Sequence, residues 1–181
     1  MDRKSGSHWL GVLLIIVLAA AFPACDQDSR SPESSSGGIT VSANSQTLGT
    51  YSTQIEAANK ASQLAAFQVL PVNNLPEGFA VSFMDVKSTS PGVGSFVLRV
   101  VQVGIRSDTG GLLVIQNDTG LKISEDGLVR VSTDLPGKYY SSGDGESLVY
   151  YLLTEDRTYN LITRNNLTSD QAVKILSGFL R

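Results

Sequence analysis

Histidine and cysteine are almost missing from this sequence: its 181 residues include one of each, His8 and Cys25. Without them a folded domain cannot assemble a Ser-His-Asp or Cys-His nucleophile, nor a His/Cys zinc site. No cofactor and no metal are therefore expected, and catalysis would have to rest on carboxylates, Lys, Tyr or Ser. A lone Cys also excludes an internal disulfide, so the fold must stand on its own core. Charge is sparse too, with 17% Asp, Glu, Lys and Arg. The chain has no basic run of the kind that follows a phosphate backbone, which argues against nucleic-acid binding.

The apolar residues are unevenly spread. Arg3 and Lys4 form a short basic start, and Leu10 to Phe22 is a continuous apolar run. Counted on to Ala24 the run is 15 residues, short of the ~20 that span a bilayer core. That length and those flanks fit a signal-peptide core. Removing residues 1–24 takes Arg3, Lys4 and Asp2 from the 14 basic and 17 acidic residues, leaving a product of about −4.

The segment Ala21-Phe22-Pro23-Ala24-Cys25 resembles the lipobox of bacterial lipoproteins, in which a small residue precedes a Cys that becomes acylated. The resemblance implies cleavage after Ala24 and lipidation, palmitate included, at Cys25. Two or more acyl chains give stable membrane attachment where one is marginal. The expected location is the cell membrane, lipid-anchored and facing the periplasm or exterior. Residues 26–52 are rich in Ser, Thr, Asn, Gly and Asp, a composition that reads as a disordered tether. As a coil, these 27 residues reach ~30 Å root-mean-square. The expected organisation is a signal peptide over 1–24, lipidated Cys and tether over 25–52, and one domain over 53–181.

Within that domain Thr53 and Glu56 have capping-box spacing, and Ile55, Ala58, Ala61, Leu64 and Ala65 fall on one side, predicting a helix over 54–66. Short segments of alternating character follow at 79–83, 112–116, 121–124, 128–132, 138–142, 147–153 and 157–163, and a segment at 95–103 is apolar on both faces but for Arg99 and Gln102, which suits a central strand. Asp126-Gly127 and Asp144-Gly145 are hairpin signals. Thr168 and Gln171 open a closing helix over 169–180, with Ala172, Val173, Leu176, Phe179 and Leu180 as its apolar stripe. The expected fold is α+β: a curved, chiefly antiparallel sheet of about eight strands with an N-terminal and a C-terminal helix packed against it.

Few residues suggest chemistry. The acidic groups Glu125/Asp126, Asp144/Glu146 and Glu155/Asp156 sit at expected turns, where turn chemistry already accounts for Asp. Tyr139, Tyr140, Tyr150, Tyr151 and Tyr159 concentrate on neighbouring strands. Tyr139, Tyr150 and Tyr159 are the candidates for a ligand surface, with ordinary cross-strand packing as the alternative.

The stretch from Phe67 through Pro71 to Leu75-Pro76-Glu77-Gly78-Phe79 resembles an uncharacterised bacterial domain family, found in lipoproteins and at the outer ends of anti-sigma-factor-like membrane proteins. The similarity extends to Leu113–Gln116, to Arg157–Leu161 and to the closing helix. It implies a fold distantly similar to the half-barrel of lipoprotein carriers, and no activity. The reading that follows is a membrane-anchored, non-enzymatic binding or sensing module for an envelope protein, peptide or apolar ligand. The alternatives are a lipid- or lipoprotein-handling carrier and a carboxylate-dependent envelope hydrolase.

Overall fold

In the computed structural model the described residues are 38–89, 98–108, 110–117, 125–143, 147–155, 157–164 and 167–180. The leader, Ala24 and Cys25 lie outside them, as do the expected strand at 121–124 and the acidic residues Asp144, Glu146 and Asp156.

The chain is α+β, and the described residues form nine strands in one open, mostly antiparallel sheet and two helices. The first two strands, β1 (Ile39–Ala43) and β2 (Gln46–Tyr51), arise within the segment expected to be a tether. Ile39 and Val41 alternate with Thr40 and Ser42, so one face of β1 is buried against the core. Asn44 and Ser45 close the hairpin with φ of 48° and 68°, the pair of positive angles a two-residue turn needs to match strand twist. In β1 the Ser/Thr-rich composition hid a real period of two: Thr40 and Ser42 occupy only the alternate positions.

Helix α1 (Gln54–Ala65) starts as expected, with Thr53 Oγ1 accepting from the Glu56 N–H at 3.2 Å. Its buried stripe is Ala57, Ala58, Ala61 and Ala65. Ile55, expected on that stripe, is 65% exposed, because two residues from Ala57 is about half a turn round the helix. Small side chains bring α1 close to the sheet. It supplies the crossover by which β1 pairs in parallel with β3 (Ala80–Thr89), a pairing that no hairpin can make.

The rest of the sheet is antiparallel: β4 (Leu98–Ser107), β5 (Gly110–Asn117), β6 (Val129–Arg130), β7 (Lys138–Gly143), β8 (Leu148–Leu153) and β9 (Thr158–Thr163). The spatial order is β2-β1-β3-β4-β5-β9-β8-β7-β6, so the edges are β2 and β6. The strand expected over 128–132 shrinks to Val129–Arg130, beyond the turn in which Leu128 N–H donates to Glu125 O. Helix α2 (Ser169–Ser177) opens with a full capping box at Thr168 and Gln171. Among the described residues no helix is long and apolar enough to cross a membrane.

Both helices contribute to one core. Ala57, Ala61, Ala172 and Ile175 cluster with Val41, Met84, Val101, Val103, Val114, Leu152 and Leu161, all at most 1% exposed. The Pro-containing segment after α1 is a brace within this layer. Val69 N–H donates to Ser62 Oγ, Val72 N–H to Gln54 Oε1, and Asn74 Nδ2 to Lys174 O on α2. Arg157 Nη1 donates to Gln68 O at 2.7 Å, and its guanidinium lies 5.6 Å from the Phe67 ring centre.

Candidate functional site

Side chains alternate across a strand, so every strand whose odd residues feed the core presents its even residues to the opposite face, or the reverse. On β4, Val101, Val103 and Ile105 join the core under the helices, while Val100, Gln102 and Gly104 point the other way. Leu113 and Tyr140 are 8% and 6% exposed, yet neither belongs to the core cluster, which marks them as residues of that second face. Around them Phe83, Val100, Ile115, Val149, Tyr151, Leu153 and Ile162 are partly exposed. Among the described residues, neither helix covers this face.

The strand registers organise it. Asp85 lies opposite Gln102, Gln102 opposite Ile115, and Ile115 opposite Asn160. The row continues from Asn160 to Tyr151, from Tyr151 to Tyr140, and from Tyr140 to Arg130. Residues directly opposite share a face, so seven consecutive strands each place one member in a single transverse row. At ~4.8 Å per strand the row runs roughly 29 Å. On one side an apolar row parallels it: Phe83, Gly104, Leu113, Ile162 and Val149. The Phe83 ring lies across Gly104, in space that any Cβ there would occupy. Glycine at that position leaves the space that the aromatic ring takes.

The row is anchored at its ends, and in its middle Gln102 is buried while Ile115, Asn160 and Tyr151 are partly exposed. At one end the Asp85 carboxylate accepts from Ser42 Oγ at 2.7 Å and from the Ser45 N–H at 3.1 Å, with Lys87 Nζ 3.9 Å away. These contacts bolt the turn of the β1–β2 hairpin onto β3, and Asn44 adds N–H to Val86 O. At the other end Tyr140 OH donates to Glu125 Oε2 at 2.8 Å. That bond to a carboxylate, and burial after it, push the Tyr140 phenol above its ordinary value, against a lowering influence from Arg130. In the middle, burial alone pushes the Tyr151 phenol up. Beside Tyr151, Asn160 Oδ1 is buried without a hydrogen-bond partner, an unusual state for an amide oxygen.

The tyrosines expected to form a ligand surface are on the wrong face for it. Tyr139, Tyr150 and Tyr159 are 1%, 3% and 3% exposed and belong to the core. Tyr159 stacks on Phe179 at 4.5 Å, Tyr150 OH lies 3.1 Å from Ser169 Oγ, and Tyr139 OH donates to Pro136 O. Their strand neighbours Tyr140 and Tyr151 point the other way. Which of two adjacent tyrosines faces the helices depends on register, which a Tyr-Tyr pair does not reveal. Glu125 and Asp126 are exposed at a turn, and Glu155 is exposed as well. Among the described residues no three Asp, Glu, His or Cys side chains group closely enough to hold a metal ion. A shallow recess lined by Arg130, Val131, Ser132, Thr133 and Gly137 lies beside the Arg130 end.

Compared with known protein families, curated proteins and solved structures, the chain matches none.

Proposed function

We propose that this protein is an exported lipoprotein, cleaved after Ala24 and held to the membrane through lipid on Cys25, whose domain is a non-enzymatic binding or sensing module. The observation that carries the binding role is the helix-free sheet face, where seven strands align a polar row beside an apolar one. Phe83, Val100, Ile115, Val149, Leu153 and Ile162 are partly exposed there, and apolar side chains grouped on one face in this way mark a candidate interaction site. The membrane role rests on the apolar leader and the lipobox-like segment.

Two other roles have less behind them. A carrier whose sheet encloses an apolar cavity needs space between sheet and helices, and that layer is filled by side chains at most 7% exposed. A paired-carboxylate hydrolase needs its acids about 5–10 Å apart. The carboxylates that contact the row, Asp85 and Glu125, are at opposite ends of it, separated by about five strand spacings or ~24 Å.

Fractionation tests the anchor: Cys25→Ser should shift the protein from membrane to soluble fractions, and a variant that stays in the membrane unprocessed defeats the lipoprotein reading. A photoreactive residue at Tyr151 tests the face in intact cells. It should give adducts that the same residue at Ile55, exposed on α1, does not. Equal yields from the two positions would remove the case for this face.

A further inference from the structure

We infer that the open edge of the sheet at β2 pairs antiparallel with β2 of a second copy of this chain, about a two-fold axis that sets Thr47 opposite Thr50 of that copy. The backbone decides which groups face outward. Asn44 N–H donates to Val86 O on β3, and successive residues of a strand turn their backbone groups to opposite sides. Thr40 and Ser42 therefore pair with β3, and Ile39, Val41 and Ala43 pair with β2. Across the hairpin the partners of those three are Tyr51, Gly49 and Gln46. Thr47 and Thr50, opposite Ser42 and Thr40, turn their N–H and C=O groups away from β1. No further strand lies on that side among the described residues. Leu48 is the extra residue of a bulge that takes up the odd step between the two threonines.

This edge lacks the usual protection. Folded proteins guard sheet edges by keeping them short, by placing Lys or Pro on them, or by covering them. The opposite edge, β6, is two residues long. β2 has six residues, none charged and none Pro, and Gln46, Thr47, Leu48 and Thr50 are exposed. From Gly38 to Ile55 the chain carries no Asp, Glu, Lys or Arg. The bulge at Leu48 bends the strand but leaves both threonines facing out.

Outward backbone groups in a line call for an extended strand, and symmetry makes that strand a second β2. Thr47 and Thr50 lie opposite residues two apart on β1, so their outward groups are ~6.7 Å apart, one repeat of an antiparallel ladder. A two-fold axis midway between them forms two identical hydrogen-bonded pairs, with Thr47 of each copy against Thr50 of the other. Both are Thr–Thr pairs, a favoured cross-strand combination. Gln46 comes opposite Tyr51. Each copy has a net charge of −3, yet the two meet along charge-free strands, where no like charges stand directly opposed. Residues 26–37 of the same chain are the other strand at hand, but they include Asp26, Asp28, Arg30, Pro32 and Glu33, types depleted in strands. The pairing depends on neither the helix-free face nor the lipid anchor.

The test is photo-crosslinking of the full-length protein in cells that also express an epitope-tagged copy, with a photoreactive residue at Gln46, exposed on β2. The seam is small, and covalent capture records a pair too weak to survive purification. Adducts should join tagged to untagged chain, and peptide mapping should place them at residues 50–52, because Gln46 faces Tyr51 in this register. Thr47→Pro removes an outward N–H at an edge position, where proline is tolerated. Leu48→Lys puts a charge on each side of the seam. Each should cut the yield by about fivefold or more while the thermal midpoint moves by only a few degrees. Adducts elsewhere on the second copy, adducts to other proteins or within one chain in its place, or no adducts at all overturn the pairing. So does an undiminished yield in either variant that folds like the parent. A photoreactive residue at Tyr151 reads the helix-free face separately, so the failure of one reading leaves the other standing.

Discussion

The side-chain amide of Gln116 and the backbone of Leu70 hold each other through two hydrogen bonds. Leu70 N–H donates to Gln116 Oε1 at 2.9 Å, and Gln116 Nε2 donates to Leu70 O at 2.6 Å. Gln116 is fully buried on the core face of β5, so its amide acts as one residue of an extra strand, pairing the Pro-rich brace to the sheet. The brace has no ladder of its own there, and this pair satisfies backbone groups that water does not reach.

Replacing Gln116 should therefore be costly. Gln116→Leu leaves a buried N–H and a buried C=O without partners, an expected loss of about 2–6 kcal/mol read from denaturant unfolding. Gln116→Glu keeps an acceptor for the Leu70 N–H but can donate to Leu70 O only when protonated. Burial then holds the new carboxyl above its unfolded range, so this variant should be most stable at low pH and lose stability as pH rises through the raised value. A loss below 1 kcal/mol for Gln116→Leu, or no pH difference between Gln116→Glu and the parent, would show that the pair does not hold the brace.

Asp85→Ala should loosen the β1–β2 hairpin before anything else. It removes the acceptor for Ser42 Oγ and for the Ser45 N–H, with an expected cost of about 1–3 kcal/mol. Hydrogen exchange should accelerate across 39–51 and much less at β5 and β9. Uniform acceleration across the sheet would mean that Asp85 serves global stability and not the latch.

Alkaline pH should weaken the fold through Tyr140 and Tyr151. Both phenols are raised above the ordinary 10.0, so the folded state holds protons that the unfolded chain has released. Their stabilisation is complete below about pH 10 and is lost as pH rises through the folded values. Thermal midpoints measured from pH 8 to 11 should fall less steeply in Tyr140→Phe and Tyr151→Phe than in the parent. Identical slopes would rule these phenols out as the cause.

Gly104→Ala separates surface from stability. Alanine suits an extended strand better than glycine by roughly 0.5–1 kcal/mol, but its Cβ must displace the Phe83 ring. The ring is partly exposed and can turn into solvent, so the thermal midpoint should change by only a few degrees. The yield of adducts from a photoreactive residue at Tyr151 should drop, because the Phe83 ring no longer occupies the space over Gly104. A variant that binds like the parent would remove Phe83 from the ligand surface.

Local chemistry in the sequence settled the α+β class, the two helix starts and most strands. A capping hydroxyl three residues before its partner N–H is a short-range event, and so is the alternation that buries one face of β9. The resulting expectation of about eight strands left out β1 and β2, which lie in Ser/Thr-rich chain that composition alone reads as tether, while the strand expected at 121–124 lies outside the described residues. Only the tertiary structure decided the rest. Pairing β1 with β3 in parallel depends on α1 folding back over the sheet, and the role of Gln116 depends on a contact 46 residues away in the chain. The transverse row joins Asp85, Gln102, Ile115, Asn160, Tyr151, Tyr140 and Arg130 through six separate registers. A slip of one residue in any of them would send part of the row to the core. Register is fixed by the packing of whole faces, so the face a tyrosine points to, and with it the candidate site, emerges only when the sheet is assembled.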